Sequence, residues 1–387
     1  EGREASLRHL TQLLVDQHLP HPGQDITHLR VDLGPWRLRW EMHTEFVSWT
    51  FMSEVSSDAL DQDPPPSPLQ VVPHQWLAAL PGQALVKLQL WAMPSRSLNQ
   101  ADIVRILRED SVVASTLVDG QAEVHTDFQI HADGFSRMLL FVGSISQRRT
   151  GRLVQQLLEI ETYRMAAMLG LPAARQAGAA LSDAEHELAQ LAQAIRTADR
   201  SAEAALLDRL TTLAGQVEGQ YAATHSRFSA TKAYFELVDR RIQDIRESRL
   251  AGQQTIAEFM DRRLSPARST CEWAVRRQTA LSERVSRMSN LLRTRVEIEQ
   301  QQSSQDLLAA MNRRQGLQLK LQSAVEGLSV AAITYYMAGL VHHVAEGLEP
   351  LGWPFHVNTT TALAVPLIAL VVWLLMRRVH RKLNLGD

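Results

Sequence analysis

Apolar positions change their period twice along this chain. Up to about residue 150, short runs alternate apolar and polar residues. From about Gly151 apolar residues recur every three to four positions, and near the end two long runs lose charge altogether. Alternation marks a half-buried strand, and a three-to-four spacing marks an amphipathic helix. The first region therefore predicts strands over residues 26–33, 36–51, 84–93, 111–117, 123–132 and 137–142, with short helices over 7–14 and 99–108. Between them, DPPPSP at residues 63–68 is a loop of stiff, extended backbone. Strands interspersed with helices indicate an α/β or α+β domain on a mixed sheet, spanning residues 1–150.

Residues 151–265 are expected to form antiparallel helices. Residues 152–169 are amphipathic and stop at Gly170-Leu171-Pro172. Ser182 and Glu185 have the spacing of a capping box, which satisfies free backbone N–H groups at a helix start. Leu188, Leu191, Ile195, Leu206, Leu210, Leu213 and Val217 continue an apolar stripe that Tyr234, Leu237, Val238, Ile242 and Ile245 extend; these read as core. Ser265-Pro266 predicts the start of a further helix, with Ser as N-cap and Pro in the first turn. No proline follows until Pro350. This stalk helix is assigned residues 266–327. Continued into the first uncharged run it extends roughly 110–120 Å, at 1.5 Å per residue. A helix of that length needs partners along it. Leu281, Val285, Met288 and Leu292 give one heptad-like seam; Leu307, Ala310, Leu317, Leu321, Ala324 and Leu328 give another, broken by Arg314. Between them EQQQSSQD, residues 299–306, has no apolar residue.

Residues 328–341 and 359–376 carry no charge. A bilayer core of ~30 Å needs ~20 mostly apolar helical residues. The second run meets that length, and the first does so when its helix continues through His342, His343 and Val344. The second run is so apolar, and its basic stop RRVHRK at 377–382 so abrupt, that a membrane hairpin is expected rather than a buried soluble one. Its parts are a first transmembrane helix over 328–344, an outer (periplasmic) loop over 345–358, a second transmembrane helix over 359–376 and a basic tail over 377–387. From His342 to Asn358 there is no Lys or Arg, whereas Arg313, Arg314, Lys320 and the tail make the flanks basic. Positive flanks stay cytoplasmic, so both termini are expected in the cytoplasm. Tyr335, Tyr336, Trp353 and Phe355 are candidates for an interfacial aromatic belt, and Pro366 sits inside the second span, where lipid-buried helices tolerate it. No signal peptide is read at the N-terminus, and Glu1 is not a usual initiating residue.

A net charge of −2 implies no bulk attraction to nucleic acid. The single Cys271 rules out an intramolecular disulfide and a Cys-based zinc cluster, and reads as a packing residue. One strand-like stretch carries candidate chemistry. Alternation over residues 37–46 puts Leu38, Trp40, Met42 and Phe46 on one face and Arg37, Arg39, Glu41, His43 and Glu45 on the other. Same-face neighbours on a strand lie ~6.6–7 Å apart, so a pair such as Glu41 and His43 can share a metal or act as acid and base. The same pattern describes a solvated face with cross-strand ion pairs, or a contact with another domain or subunit. No Gly-rich phosphate loop and no Ser/His/Asp or Cys/His arrangement accompanies it, so the chain is not read as an enzyme.

WEMHTEF at 40–46, SWTF at 48–51, WLAALPG at 76–82 and residues 328–340 together resemble a bacterial family of uncharacterised membrane-anchored proteins, over most of the chain. The resemblance implies a bacterial, membrane-anchored protein and no particular reaction.

The order of parts is similar, in layout rather than in close sequence, to the CorA-type magnesium transporters, where a pentamer lines its pore with the long helix and first span. This likeness implies a homo-oligomer and a divalent cation. That superfamily carries Gly-Met-Asn at the outer end of the first span. The nearest equivalents here, Tyr336-Met337-Ala338 and Met337-Ala338-Gly339, lack the asparagine whose carboxamide helps hold a hydrated ion. The departure puts magnesium selectivity, and transport itself, in question. On this layout Thr334, Tyr336 and Met337 in the first span and Gln301, Ser304 and Gln305 in the polar stretch are the pathway candidates. Glu346 and Glu349 would form acidic rings at the outer mouth, which concentrate cations. His342 and His343 are candidates to bind a transition metal or to titrate between about pH 5 and 8. Each residue has a plainer reading: a polar stretch is often a surface segment, loop acids are usually solvated, and boundary histidines often only mark the interface. The expected function is a cation channel or transporter with a cytoplasmic regulatory domain. The alternative is a membrane-anchored scaffold or assembly factor without a pore.

Overall fold

Alternation in the N-terminal region builds two sheets. The computed structural model describes residues 2–23, 25–56, 58–95, 103, 105–348, 354 and 356–383. Strands β1 (His28–Asp32), β2 (Arg37–Met42) and β3 (Val47–Met52) form an antiparallel meander in the order β1-β2-β3. The run expected as one strand over 36–51 is thus a hairpin: the chain reverses after Met42, and His43 N–H donates to the Phe46 carbonyl at 2.9 Å. Strand period places Leu29, Trp40 and Trp49 in one cross-strand row, and Val31, Leu38 and Phe51 in the next. This face closes on Leu10, Leu13 and Leu14 of α1 (Gly2–Asp16) and on Trp76 of α2 (His74–Ala78). The sheet's other face carries His28, Arg30, Arg39 and Glu41, which line an open depression.

The second sheet runs β4-β7-β6-β5-β8, from β4 (Leu88–Pro94), β5 (Val113–Leu117), β6 (Ala122–Thr126), β7 (Ser136–Val142) and β8 (Ser248–Arg249). β4 and β7 are parallel and the other pairs antiparallel, so the sheet is mixed as expected. Both its faces are covered. Trp91, Met93, Leu139 and Phe141 pack with Leu60, Ile106 and Leu107. Val113, Val124, Met138 and Leu140 pack with residues of the helices described next. Burial on both sides explains why β7, Ser136–Val142, reads as a nearly continuous apolar run. Of the helix expected over 99–108, residues 99–102 and 104 lie outside the described residues.

The helices follow as α3 (Gln147–Met168), α4 (Gly170–Thr197), α5 (Arg200–Asp244), α6 (Ile256–Leu348) and α7 (Val357–Leu383). The chain divides into two compact units, residues 1–289 and 290–387. In the first unit α5 runs antiparallel to α3, since Glu159 meets Arg241 and Tyr163 meets Tyr234. It also runs antiparallel to α6, since Asp239 meets Arg268 and Thr224 meets Gln278. Ala174, Ala177, Phe228, Cys271 and Ala274 fill the seam where α4, α5 and α6 meet. The break between α3 and α4 falls at Gly170, where an added Cβ would lie 2.4 Å from the Thr231 hydroxyl oxygen.

Two expected helix starts are displaced. Ser182 and Glu185 lie inside α4 and cap nothing. Instead Arg277 of α6 donates to both of them, at 3.0 Å and 2.6 Å. Ser265-Pro266 lies inside α6, which begins at Ile256. The N-terminal box is Thr255 and Glu258: Glu258 N–H donates to the Thr255 hydroxyl at 3.2 Å, and Thr255 N–H donates to the Glu258 carboxylate at 3.1 Å. The Glu247 carboxylate accepts from the Ile256 and Ala257 N–H groups at 3.0 and 2.7 Å, and from the Ser115 hydroxyl of β5 at 2.8 Å. An anion at a helix N-terminus meets both the free N–H groups and the positive end of the helix dipole. That favourable start makes Pro266, which cannot donate to the carbonyl one turn back, tolerable ten residues on.

Candidate functional site

The residues of three of the four resemblance motifs, 40–46, 48–51 and 76–82, serve structural ends in or against the first sheet; the fourth, 328–340, lies on α6. Trp40, Trp49 and Trp76 make one aromatic cluster, with ring centroids 6.3 Å apart for Trp40–Trp49 and 5.4 Å for Trp49–Trp76. His9 stacks on Trp76 at 4.6 Å, and the two exchange hydrogen bonds with each other's backbone carbonyls at 3.0 and 3.1 Å. Burial lowers the pKa of His9, against the opposing pull of the Trp76 carbonyl. A cluster of this kind holds α1 and α2 on the sheet and offers no reactive group.

Glu41, His43 and Glu45 do not form one face, because the reversal after Met42 separates them. Glu41 accepts from Arg39 at 2.5 Å. His43 stacks on Phe46 at 4.4 Å, and burial lowers its pKa, only partly offset by the Glu41 and Glu159 carboxylates. Glu45, in the turn, pairs with Arg227 of α5 at 3.1 Å. The Tyr234 hydroxyl is pushed up to about 12, by burial first and then by Glu45. Arg241 bridges Glu159 and Asp244. The hairpin turn is therefore clamped onto α3 and α5 by Phe46, Tyr234, Tyr163 and these ion pairs. Sequence reading missed the clamp, because its helical partners lie well over a hundred residues downstream of the turn. Among the described residues, no group of three or more His, Cys, Asp or Glu side chains could hold a metal ion.

In the second unit, two helices among the described residues are long and apolar enough to cross a membrane. They are the C-terminal part of α6 and most of α7, and neither apolar window is buried within the chain. The Thr334 hydroxyl donates back to the Val330 carbonyl at 2.7 Å. Tyr335 and Tyr336 are both more than three-quarters exposed and meet edge to face at 5.9 Å. Met337 is exposed. His342 Nδ1 lies 3.2 Å from the Thr361 hydroxyl of α7, a direct tie between the two apolar helices. His343 Nδ1 lies 3.6 Å from Glu346, one turn on. Arg377 sits over the Trp373 ring at 5.0 Å. Glu349, Trp353 and Phe355 lie outside the described residues.

Upstream, Gln301, Ser304 and Gln305 belong to a stretch, residues 300–325 of α6, in which every residue is exposed. Seven of these are large and apolar: Leu307, Leu308, Met311, Leu317, Leu319, Leu321 and Val325, each at least half exposed. Upstream in the same helix, Leu281 and Val285 are wholly buried. The Leu281 seam expected from the sequence is thus filled within the chain, and the Leu307 seam is not.

No curated protein and no solved structure matches the chain. One family does, over residues 1–383, and the chain belongs to it: the family is described as Protein of unknown function (DUF3422).

Proposed function

We propose that the chain assembles as a symmetric homo-oligomer in the bacterial inner membrane and carries cations through it, on a CorA-like plan with both termini cytoplasmic. The carrying observation is the bare stretch 300–325 of α6. An isolated helix with leucines on its surface is not stable in water through its own propensity, because helices draw most of their stability from packing an apolar face. Leu307, Ala310, Leu317, Leu321, Ala324 and Leu328 recur at threes, fours and one seven, which is the spacing of a seam against a like helix. A second copy of the same helix supplies that seam in register. The apolar runs 328–341 and 359–376 supply the anchor, and the basic tail with the basic residues before the first span favours a cytoplasmic body.

Cation rather than anion passage is favoured by Glu346, together with Glu349, and by the lack of Lys or Arg from His342 to Asn358. The missing asparagine beside Met337 speaks against a magnesium-selective filter of the CorA kind. A monovalent or less selective pathway fits better. The test is ion flux into liposomes containing the full-length protein, compared with a Glu346→Ala/Glu349→Ala double variant. We expect cation flux that falls at least several-fold in the variant. Absence of flux for every mono- and divalent cation would leave the competing reading, a membrane-anchored scaffold.

A further inference from the structure

Within the bare stretch, three charges mark one line of α6. Asp306, Arg313 and Lys320 follow one another at intervals of seven. At about 100° per residue, positions two before and two after each charge fall on the far side of the helix. Those positions are Ser304 and Leu308 around Asp306, Met311 and Gln315 around Arg313, and Gln318 and Gln322 around Lys320. Directly opposite the charged line there is therefore a stripe without charge, and its last three members are all carboxamides. Large apolar residues flank this stripe on both sides: Leu307, Leu321 and Val325 on one, Leu319 on the other. All of these side chains are exposed in the single chain.

A helix in a ring of copies touches one neighbour on each flank, which leaves one face to the axis and one to the outside. Burying the Leu307/Leu321 flank against one copy and the Leu319 flank against the next puts the stripe at the centre and Asp306, Arg313 and Lys320 in solvent, while Arg314 falls within the Leu307/Leu321 flank and interrupts it. The reverse orientation would place Arg313 and Lys320 together at the axis, where like charges repel. One turn beyond Gln322 comes Glu326, to which the Gln322 amide donates at 3.4 Å.

We infer that Gln315, Gln318 and Gln322 form stacked carboxamide rings on the axis of the oligomer, leading to a Glu326 ring at the inner end of the first span, and that they pass a hard cation with its water shell largely in place. The inference rests on the oligomeric cation pathway proposed above. Carboxamides offer both donors and acceptors without net charge, so they exchange with hydration water rather than trap the ion, and the Glu326 ring sets the sign. The ligands are oxygen apart from the Met311 thioether, and no histidine occurs between His225 and His342. Oxygen ligands suit alkali and alkaline-earth ions rather than thiophilic metals. Ser304 belongs to the stripe; Gln301 and Gln305 lie to its side.

Thiol chemistry tests the placement, because the chain's own Cys271 is only 5% exposed. Gln318→Cys and Lys320→Cys variants of the full-length protein in liposomes are treated with a cationic methanethiosulfonate, and potassium flux is followed, with oligomer size checked by light scattering in detergent. We expect modification to cut flux on the order of tenfold in the Gln318→Cys protein and to leave the Lys320→Cys protein nearly unchanged. Glu326→Gln should lower the preference for potassium over chloride while the oligomer stays intact. Flux indifferent to modification at Gln318, or blocked equally from Lys320, overturns the stripe and leaves the channel reading standing. A lack of flux in every version, with oligomers present, overturns both.

Discussion

Two stretches of α6 have similar amphipathic sequences and opposite circumstances. Between Ile256 and Ser289 the helix lies in a unit where α4 and α5 cover its apolar positions, and Ala274, Leu281 and Val285 are sealed. Between residues 300 and 325 no side chain is covered by the chain itself. Leucines at heptad spacing therefore do not say who their partner is. Inside one chain the partner is a neighbouring helix, and where none is supplied the same spacing points outward to another molecule. On the reading proposed above, the difference separates fold stability from assembly.

The strongest way to break this contrast is to shorten one leucine in each stretch. Leu281→Ala should cost about 2–5 kcal/mol in denaturant unfolding of the first unit, as buried leucine truncations do. Leu321→Ala should leave that transition within about 0.5 kcal/mol while shifting the full-length protein toward smaller species in sedimentation. Equal losses in the two variants would show that residues 300–325 are covered after all. A second, smaller effect sharpens the covered side. Gly170→Ala places a methyl group against the Thr231 side chain, where a Cβ would already lie 2.4 Å from its hydroxyl. Overpacking there should lower stability by about 1–3 kcal/mol. Adding Thr231→Ala, which removes the obstructing atoms, should restore most of it. If the double variant is no better than the single, close approach of α5 is not the reason for the glycine.

The smallest effect is a pH dependence confined to the covered unit. Burial lowers the folded pKa of His43 below its ordinary 6.5. Between that depressed value and 6.5 the unfolded chain binds the proton more readily than the folded one, so stability is complete above 6.5 and declines as pH falls below it. His9, lowered for the same reason, adds to the decline. Melting temperatures between about pH 7.5 and pH 5 should fall less steeply for His43→Gln than for the wild type. An unchanged slope would exclude His43 as a contributor.

The sequence carried some of this organisation and hid the rest for definite reasons. Leu188, Leu191, Leu210, Leu213, Leu281 and Val285 lie in the core because a helix of period 3.6 can bury only one stripe, and that stripe is visible locally. Order in the second sheet was not visible. β8 is a two-residue strand, Ser248–Arg249, that pairs with β5 more than a hundred residues earlier, and nothing local marks it. Caps were misplaced in an instructive way. Ser182 and Glu185 have capping-box spacing, yet Arg277, brought in from α6, takes both oxygens; a tertiary partner outcompeted a local pattern. The true start of α6 had an equally plain local signal in Thr255 and Glu258. Ser265-Pro266 offers a competing start signal ten residues on, because proline is over-represented in the first helical turn. Among the candidate functional residues, position in the sequence told which belong together only where one helix holds them. Glu41, His43 and Glu45 looked like one face because the reversal at His43 left no glycine or proline to announce it.

The Glu247 clasp at the root of α6 has a mechanical consequence. One carboxylate grips two amides of the first turn and a hydroxyl on β5, and β8, which follows Glu247 directly, is hydrogen-bonded into the sheet edge. Spinning the helix about its own axis at that end would have to tear the two amide hydrogen bonds to Glu247, or else free Glu247 from Ser115 and pull on β8. Torsion is resisted at the root by this clasp, and displacement by the burial of Ile256, Phe259, Met260 and Leu264 in the core.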